Sequence, residues 1–179
     1  GNDNERSYQV DSAEPIRIAY GARIIKEQKR THLLVKIIDL LEKEKLNYIL
    51  DIAGDGPYKN ELANEIANRN LAGKVNLLGS IPSNQMRNFW SQHDIFINLS
   101  LFEGVGLSML EAMAEGCVPI VTRVAGTTEF IVDGENGFYT ESDEWCKIVD
   151  KILYLEIHRN ELEVMGKRAK EIIDQKCSI

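Results

Sequence analysis

The sequence predicts an α/β fold, a Rossmann-like parallel sheet with helices on both faces. Short apolar runs alternate with longer amphipathic stretches from Pro15 to the end, and this alternation is the signature of strand–helix–strand units with right-handed crossovers. Gly or Gly-Pro turns close several of the apolar runs, as expected at the carboxyl ends of strands, where such folds bind ligands. With 44% hydrophobic and 27% charged residues among 179, the chain has enough apolar material for one domain of ordinary size.

Residues 1–14 read as a polar N-terminal arm, or as the remnant of a cleaved tag, since Gly1 stands where a start methionine would. Residues 15–179 form the Rossmann-like domain, and Ile16–Tyr20 is its first strand. Across Thr31–Lys45, Leu33, Leu34, Ile37, Ile38 and Leu41 share one face of a helix. Tyr48–Ala53 is a strand, and Pro57 suits the first turn of a helix over Tyr58–Arg69. Val75–Leu78 is a strand, and Ser83 can cap a helix running to about Ser91. Ile95–Leu99 is a strand, Leu107–Glu115 a helix and Val118–Thr122 a strand. A short helix over Thr127–Val132 and a strand over Gly137–Tyr139 follow. Helices over Glu144–Leu155 and Asn160–Lys176 complete the chain.

The formal net charge of −7 disfavours nucleic acid or an anionic membrane as a general partner. No apolar run reaches the length of a membrane span. Cys117, Cys146 and Cys177 lack metal-ligand spacing and read as free thiols of a reducing, cytoplasmic setting. His32, His93 and His158 share no ligand spacing either, so no metal is expected.

Two loops carry the chemistry. Gly21–Arg30 holds four cations, Arg23, Lys26, Lys29 and Arg30, just ahead of a helix, whose N-terminus disfavours positive charge. Either the turn is simply solvated, or an anion lies between loop and helix. Glu103–Glu111, E-G-V-G-L-S-M-L-E, offers glycine backbone and helix-start amides to a phosphate. Its two carboxylates can accept hydroxyl hydrogen bonds, while Ser108 and Glu111 also have the spacing of a capping box. No Ser-His-Asp or Cys-His set is evident, and no G-x-G-x-x-G follows the first strand, which argues against a nicotinamide dehydrogenase.

Taken together, these segments resemble the C-terminal, donor-binding domain of retaining GT-B glycosyltransferases of the family 4 type (glycosyl transferases group 1). The resemblance rests on four matches in order: Arg23 with Lys29 six residues on, the strand ending in Gly54-Asp55-Gly56-Pro57, the E-x7-E stretch Glu103 to Gly116, and the turns Gly126–Glu129 and Asp133–Gly137. Departures are Ala22 for a glycine beside the arginine, Val105 for an aromatic, and His93 before Asp94 where a small residue is usual.

The resemblance implies transfer of a sugar from a nucleoside-diphosphate donor, with retention and without metal or other cofactor. By position, Arg23 and Lys29 bind the diphosphate and stabilise the leaving group, and Glu103 holds hydroxyls of the transferred sugar. Val105, Gly106 and Leu107 contact sugar and phosphate through their amides, Glu111 takes the ribose hydroxyls, and Ile81 contacts the base. It also implies an N-terminal acceptor domain absent from this chain, through which any peripheral membrane association would run, and an isolated half inactive alone. A GT-B sugar-nucleotide epimerase and a non-catalytic nucleotide-sugar-binding module are the alternatives.

Overall fold

The computed structural model describes residues 6–103 and 106–177. Six strands, β1 (Ile16–Gly21), β2 (Tyr48–Ala53), β3 (Val75–Gly79), β4 (Ile95–Asn98), β5 (Val118–Thr122) and β6 (Phe138–Thr140), form one sheet in the order β3-β2-β1-β4-β5-β6. All neighbours run parallel. The order reverses between β1 and β4, which opens a crevice at their carboxyl ends. The helices are α1 (Leu33–Lys43), α2 (Lys59–Ala67), α3 (Ser83–Ser91), α4 (Leu107–Ala114), α5 (Lys147–Ile157) and α6 (Asn160–Cys177).

Alternation along the strands sorts the core into two layers. Ile16, Ile18 and Tyr20 of β1, with Ile95 and Ile97 of β4, join the cluster containing α1, α2 and α5. Ala19 and Phe96 point the other way, into a cluster built from Phe89, Trp90, Met109, Met113 and Ala169. The α1 stripe is fully sequestered at Leu34, Ile37 and Ile38, and burying each such side chain contributes about 1.5–3 kcal/mol.

Most expected elements appear within a residue or two of their predicted bounds. The helix expected over Thr127–Val132 does not form. Thr127 Oγ1 bonds both the amide and the carbonyl of Val124, and Asn136 takes the Val132 amide and the Phe130 carbonyl. These side chains occupy backbone groups that helix continuation needs. Ser83 is the first residue of α3 rather than its cap; extended Pro82 holds that place.

The described part of the N-terminal arm lies against the domain. Arg6 donates to the carbonyls of His93, Ser91 and Glu115, Tyr8 OH donates to the Gly116 carbonyl, and Arg159 donates to the carbonyls of Gln9, Asp11 and Glu14. Asp94, fully buried, accepts from Gln9 N and chelates Arg17.

The G-D-G-P turn fixes the loop after β1. Ile24 N donates to the Asp55 carbonyl at 2.9 Å and Tyr58 N to the Ile24 carbonyl at 3.1 Å. A Cβ on Gly54 would stand 2.0 Å from the Ala22 carbonyl oxygen, and one on Gly56 2.3 Å from that of Ile24. These atoms are backbone, so neither contact relaxes by a rotamer change. Gly54→Ala should therefore cost roughly 3 kcal/mol or more in a denaturant melt. Gly73→Ala, at φ +83° in open space, should cost only the left-handed strain of about 1–2 kcal/mol.

Candidate functional site

A cavity of about 380 Å³ opens at the carboxyl ends of β1 and β4, lined by Gly21, Ala22, Arg23, Lys29, Asn98, Glu103 and the start of α4 from Gly106 to Met109. A second, of about 280 Å³, adjoins it and is lined in part by Gly54, Asp55, Ser80, Ile81 and Met86. The two share Gly21, Ala22, Arg23 and Ser108, so they form one cleft. No residue of α1 lines it; the helix start that faces the basic loop is that of α4.

The four loop cations separate into distinct roles. Lys26 pairs with Glu61 at 3.1 Å, away from the cleft. Arg30, in a left-handed conformation, donates to the carbonyls of Leu99 and Ser142 at 2.7 Å each. Burial holds its pKa below the ordinary arginine value. Arg30 thus ties the loop to the end of β4. Lys29 faces the cleft and pairs with Glu103 at 2.5 Å. Arg23 is exposed and lines both cavities, its side chain making no hydrogen bond or ion pair among the described residues. Its backbone is fixed, since buried Thr31 Oγ1 bonds the Arg23 carbonyl, the Ile25 amide and the Tyr20 hydroxyl.

Glu103 receives three donors on one oxygen: Lys29 Nζ at 2.5 Å, Ser100 Oγ at 2.6 Å and Asn98 Nδ2 at 3.4 Å. Burial pushes its carboxyl pKa up, but the Lys29 and Ser100 hydrogen bonds, the Lys29 charge and Asn98 outweigh this and hold it below the ordinary glutamate value. Oε2 accepts nothing among the described residues, leaving one carboxylate oxygen for an incoming donor group.

Helix α4 starts at Gly106, left-handed at φ 64°. Leu110 N reaches the carbonyl of Gly106, and among the described residues the amides of Leu107, Ser108 and Met109 have no helical carbonyl. This end of the helix favours negative charge. The capping-box reading of Ser108 and Glu111 is thereby corrected. Gly106 is the cap, Ser108 lies inside the helix, and Glu111 Oε2 instead accepts Trp90 Nε1 at 3.3 Å.

Of the residues singled out in the sequence, Arg23, Lys29, Glu103, Gly106 and Leu107 meet in the larger cavity and Ile81 lines the adjoining one. Glu111 lies one turn along α4 from Ser108, on the same side. Val105 lies outside the described residues. His93 is buried in structure: its ring meets the Phe89 carbonyl at 2.7 Å and Asp51 at 2.8 Å. Asn98, Ser100, Ser80 and Met86 were missed. The first two had a legible signal, polar residues ending an otherwise apolar strand.

A doubly wound sheet with a basic, glycine-lined crevice at its switch point defines a nucleotide-binding domain of the Rossmann class. The chain belongs to the glycosyl transferases group 1 family, whose profile matches residues 2–172. It is 31% identical over 153 residues to the poly(ribitol-phosphate) alpha-N-acetylglucosaminyltransferase of Staphylococcus aureus strain COL, covering 84% of this chain and 30% of that one. Its fold superposes on Staphylococcus aureus TarM, solved with fondaparinux, alpha-GlcNAc-glycerol and UDP, with a TM-score of 0.86 at 27% identity, covering 97% of this chain and 34% of TarM. The C-terminal domain of the group 1 glycosyl transferase LpcC from Francisella tularensis gives 0.82 at 27% identity, covering 99% of this chain and 94% of that one. The chain spans less than half the length of the curated relatives it matches. Among the described residues, no helix is long and apolar enough to cross a membrane, and no cluster of three or more His, Cys, Asp or Glu could hold a metal.

Two outcomes follow from this geometry. Ser108→Ala caps nothing less, so unfolding free energy should change by no more than about 0.5 kcal/mol. The folded carboxyl of Glu103 sits below its ordinary value of 4.5, so its stabilising contribution is complete above that pH and lost as pH falls through the lower folded value. The stability difference between the native chain and Glu103→Gln, followed by denaturant melts from pH 7 downward, should shrink only below about pH 4.5.

Proposed function

We propose that this chain is the donor half of a retaining, metal-independent glycosyltransferase that uses a uridine-diphosphate sugar. The observation that carries this reading is the grouping of Arg23, the Lys29–Glu103 pair and the open start of α4 around one cavity. As the bond between anomeric carbon and phosphate oxygen breaks, negative charge grows on the leaving diphosphate. Two cations and the helix-start amides are suited to receive it without reorganisation. On binding, the diphosphate replaces Glu103 as the partner of Lys29. The freed carboxylate then turns to hydroxyls of the transferred sugar.

Ser100 and Asn98 remain on one oxygen of Glu103 while the sugar hydroxyls take the other, which leaves the carboxylate poorly suited to act as a nucleophile and favours a retaining path without a covalent intermediate on it. Glu111 takes the ribose hydroxyls and Ile81 meets the base, while the amides of Gly106 and Leu107 contact sugar and phosphate. The uridine base is supported by TarM, solved with UDP, and an N-acetylglucosaminyl donor by the name of the Staphylococcus aureus relative. The acceptor is held by a further domain of the enzyme. Three free cysteines support a reducing, cytoplasmic setting.

The test is calorimetric titration of the 179-residue chain with UDP, UDP-N-acetylglucosamine and GDP- and ADP-sugars in EDTA. The uridine ligands should bind without metal, while transfer to any acceptor should be absent in this chain alone. Arg23→Ala should abolish most of the affinity, and Glu111→Gln should weaken UDP by roughly 1.5–3 kcal/mol. An absolute need for magnesium or manganese overturns the metal-independent reading.

A further inference from the structure

The Trp90 indole joins the two motif loops. Its side chain is fully buried at the C-terminal end of α3, edge-on to Phe89 and Phe96 at centroid distances of 4.9 and 5.4 Å. One end of the ring underlies Gly21, where an added Cβ would come within 2.4 Å of Trp90 Cη2. Gly21 lines both cavities, so the indole is the surface on which the first glycine of the basic loop rests. The other end carries Nε1, which donates to Glu111 Oε2 at 3.3 Å. An indole has one donor and no acceptor, and here that donor is spent on a carboxylate one turn along α4 from the cleft residue Ser108.

We propose that Trp90 is a positioning residue for donor binding, holding the Glu111 carboxylate so that its other oxygen meets the ribose hydroxyls. The inference rests on the proposed role of Glu111. With Oε2 on Trp90, Oε1 accepts nothing among the described residues, and rotation of the carboxylate is restricted. A glutamate on an exposed helix face otherwise spreads over several rotamers, and ordering it on binding carries an entropic cost. Trp90 removes part of that cost in advance.

The test compares UDP with 2′,3′-dideoxy-UDP, which lacks the ribose hydroxyls. Trp90→Phe keeps an aromatic side chain in the core and deletes the donor. It should weaken UDP by about 3- to 10-fold more than dideoxy-UDP, the scale of one hydrogen bond to a partner, since any slack left under Gly21 acts on both ligands alike. In Glu111→Gln the further change Trp90→Phe should have a much smaller effect, because its route of action is already cut. The indole N–H proton resonance of Trp90 should shift on adding UDP and not on adding dideoxy-UDP.

Equal losses for both ligands, or additive losses in the double variant, would show a merely structural tryptophan and overturn the proposal. Should Trp90→Phe not fold, 3-benzothienylalanine at position 90 keeps the shape of the ring system without the N–H and gives the same readouts. If Glu111→Gln leaves UDP affinity intact, the reading of Glu111 fails and this inference with it. If Glu111→Gln weakens UDP while the loss of the N–H does not, only the role of Trp90 fails.

Discussion

Backbone pressed against backbone is the constraint on which the site depends. Gly54 and Gly56 leave no space for a Cβ because the carbonyls of Ala22 and Ile24 occupy it, and amides cross between the same two turns. The loop bearing Arg23 is thus held by main-chain contacts, and the arginine side chain is left free of structural duty. Arg30 and Thr31 complete the hold from the other side, one on the Leu99 carbonyl and one on that of Arg23. Every polar side chain that fixes the loop belongs to a residue other than the exposed arginine.

The Lys29–Glu103 pair compensates two charges that would otherwise stand unpaired in the cleft. A half-buried carboxylate and ammonium neutralise one another across 2.5 Å, and Ser100 and Asn98 complete the shell. Breaking one partner away from such a pair is unfavourable unless the newcomer supplies equal charge. On the proposed reading a diphosphate displaces Glu103 from the lysine, where an uncharged sugar would bring no charge to replace it. The pair would then select for the activated form of the sugar over the free one.

The sheet was legible because its strands are nearly continuous apolar runs flanked by helices with one apolar face. Tyr48–Ala53 and Val118–Thr122 appear with the bounds their residues predict. The E-x7-E stretch identified its own helix and one wall of the cleft. What could not be read was pairing at a distance. Spacing alone put Ser108 and Glu111 in a capping box, but the left-handed Gly106 took the cap and a tryptophan from α3 took the carboxylate. Likewise the four loop cations look alike in sequence, and only their partners, Glu61, Glu103 and two carbonyls, separate them. The turn after β5 was misread because Asn136, several residues downstream, takes the backbone groups of Phe130 and Val132.

The exposed position of Arg23 bears on how fast a ligand arrives as well as how tightly it stays. The chain carries a formal net charge of −7, so a polyanion at long range meets net repulsion. At the mouth of the cleft it meets a guanidinium with no counter-charge among the described residues. Such an unpaired guanidinium on a chain of negative net charge favours one orientation of approach, phosphates first. Added salt screens both the repulsion and the focusing over a Debye length of about 10 Å at 0.1 M. The association rate would therefore respond to ionic strength by the balance of two opposing fields, and its sign would report which of them governs the approach.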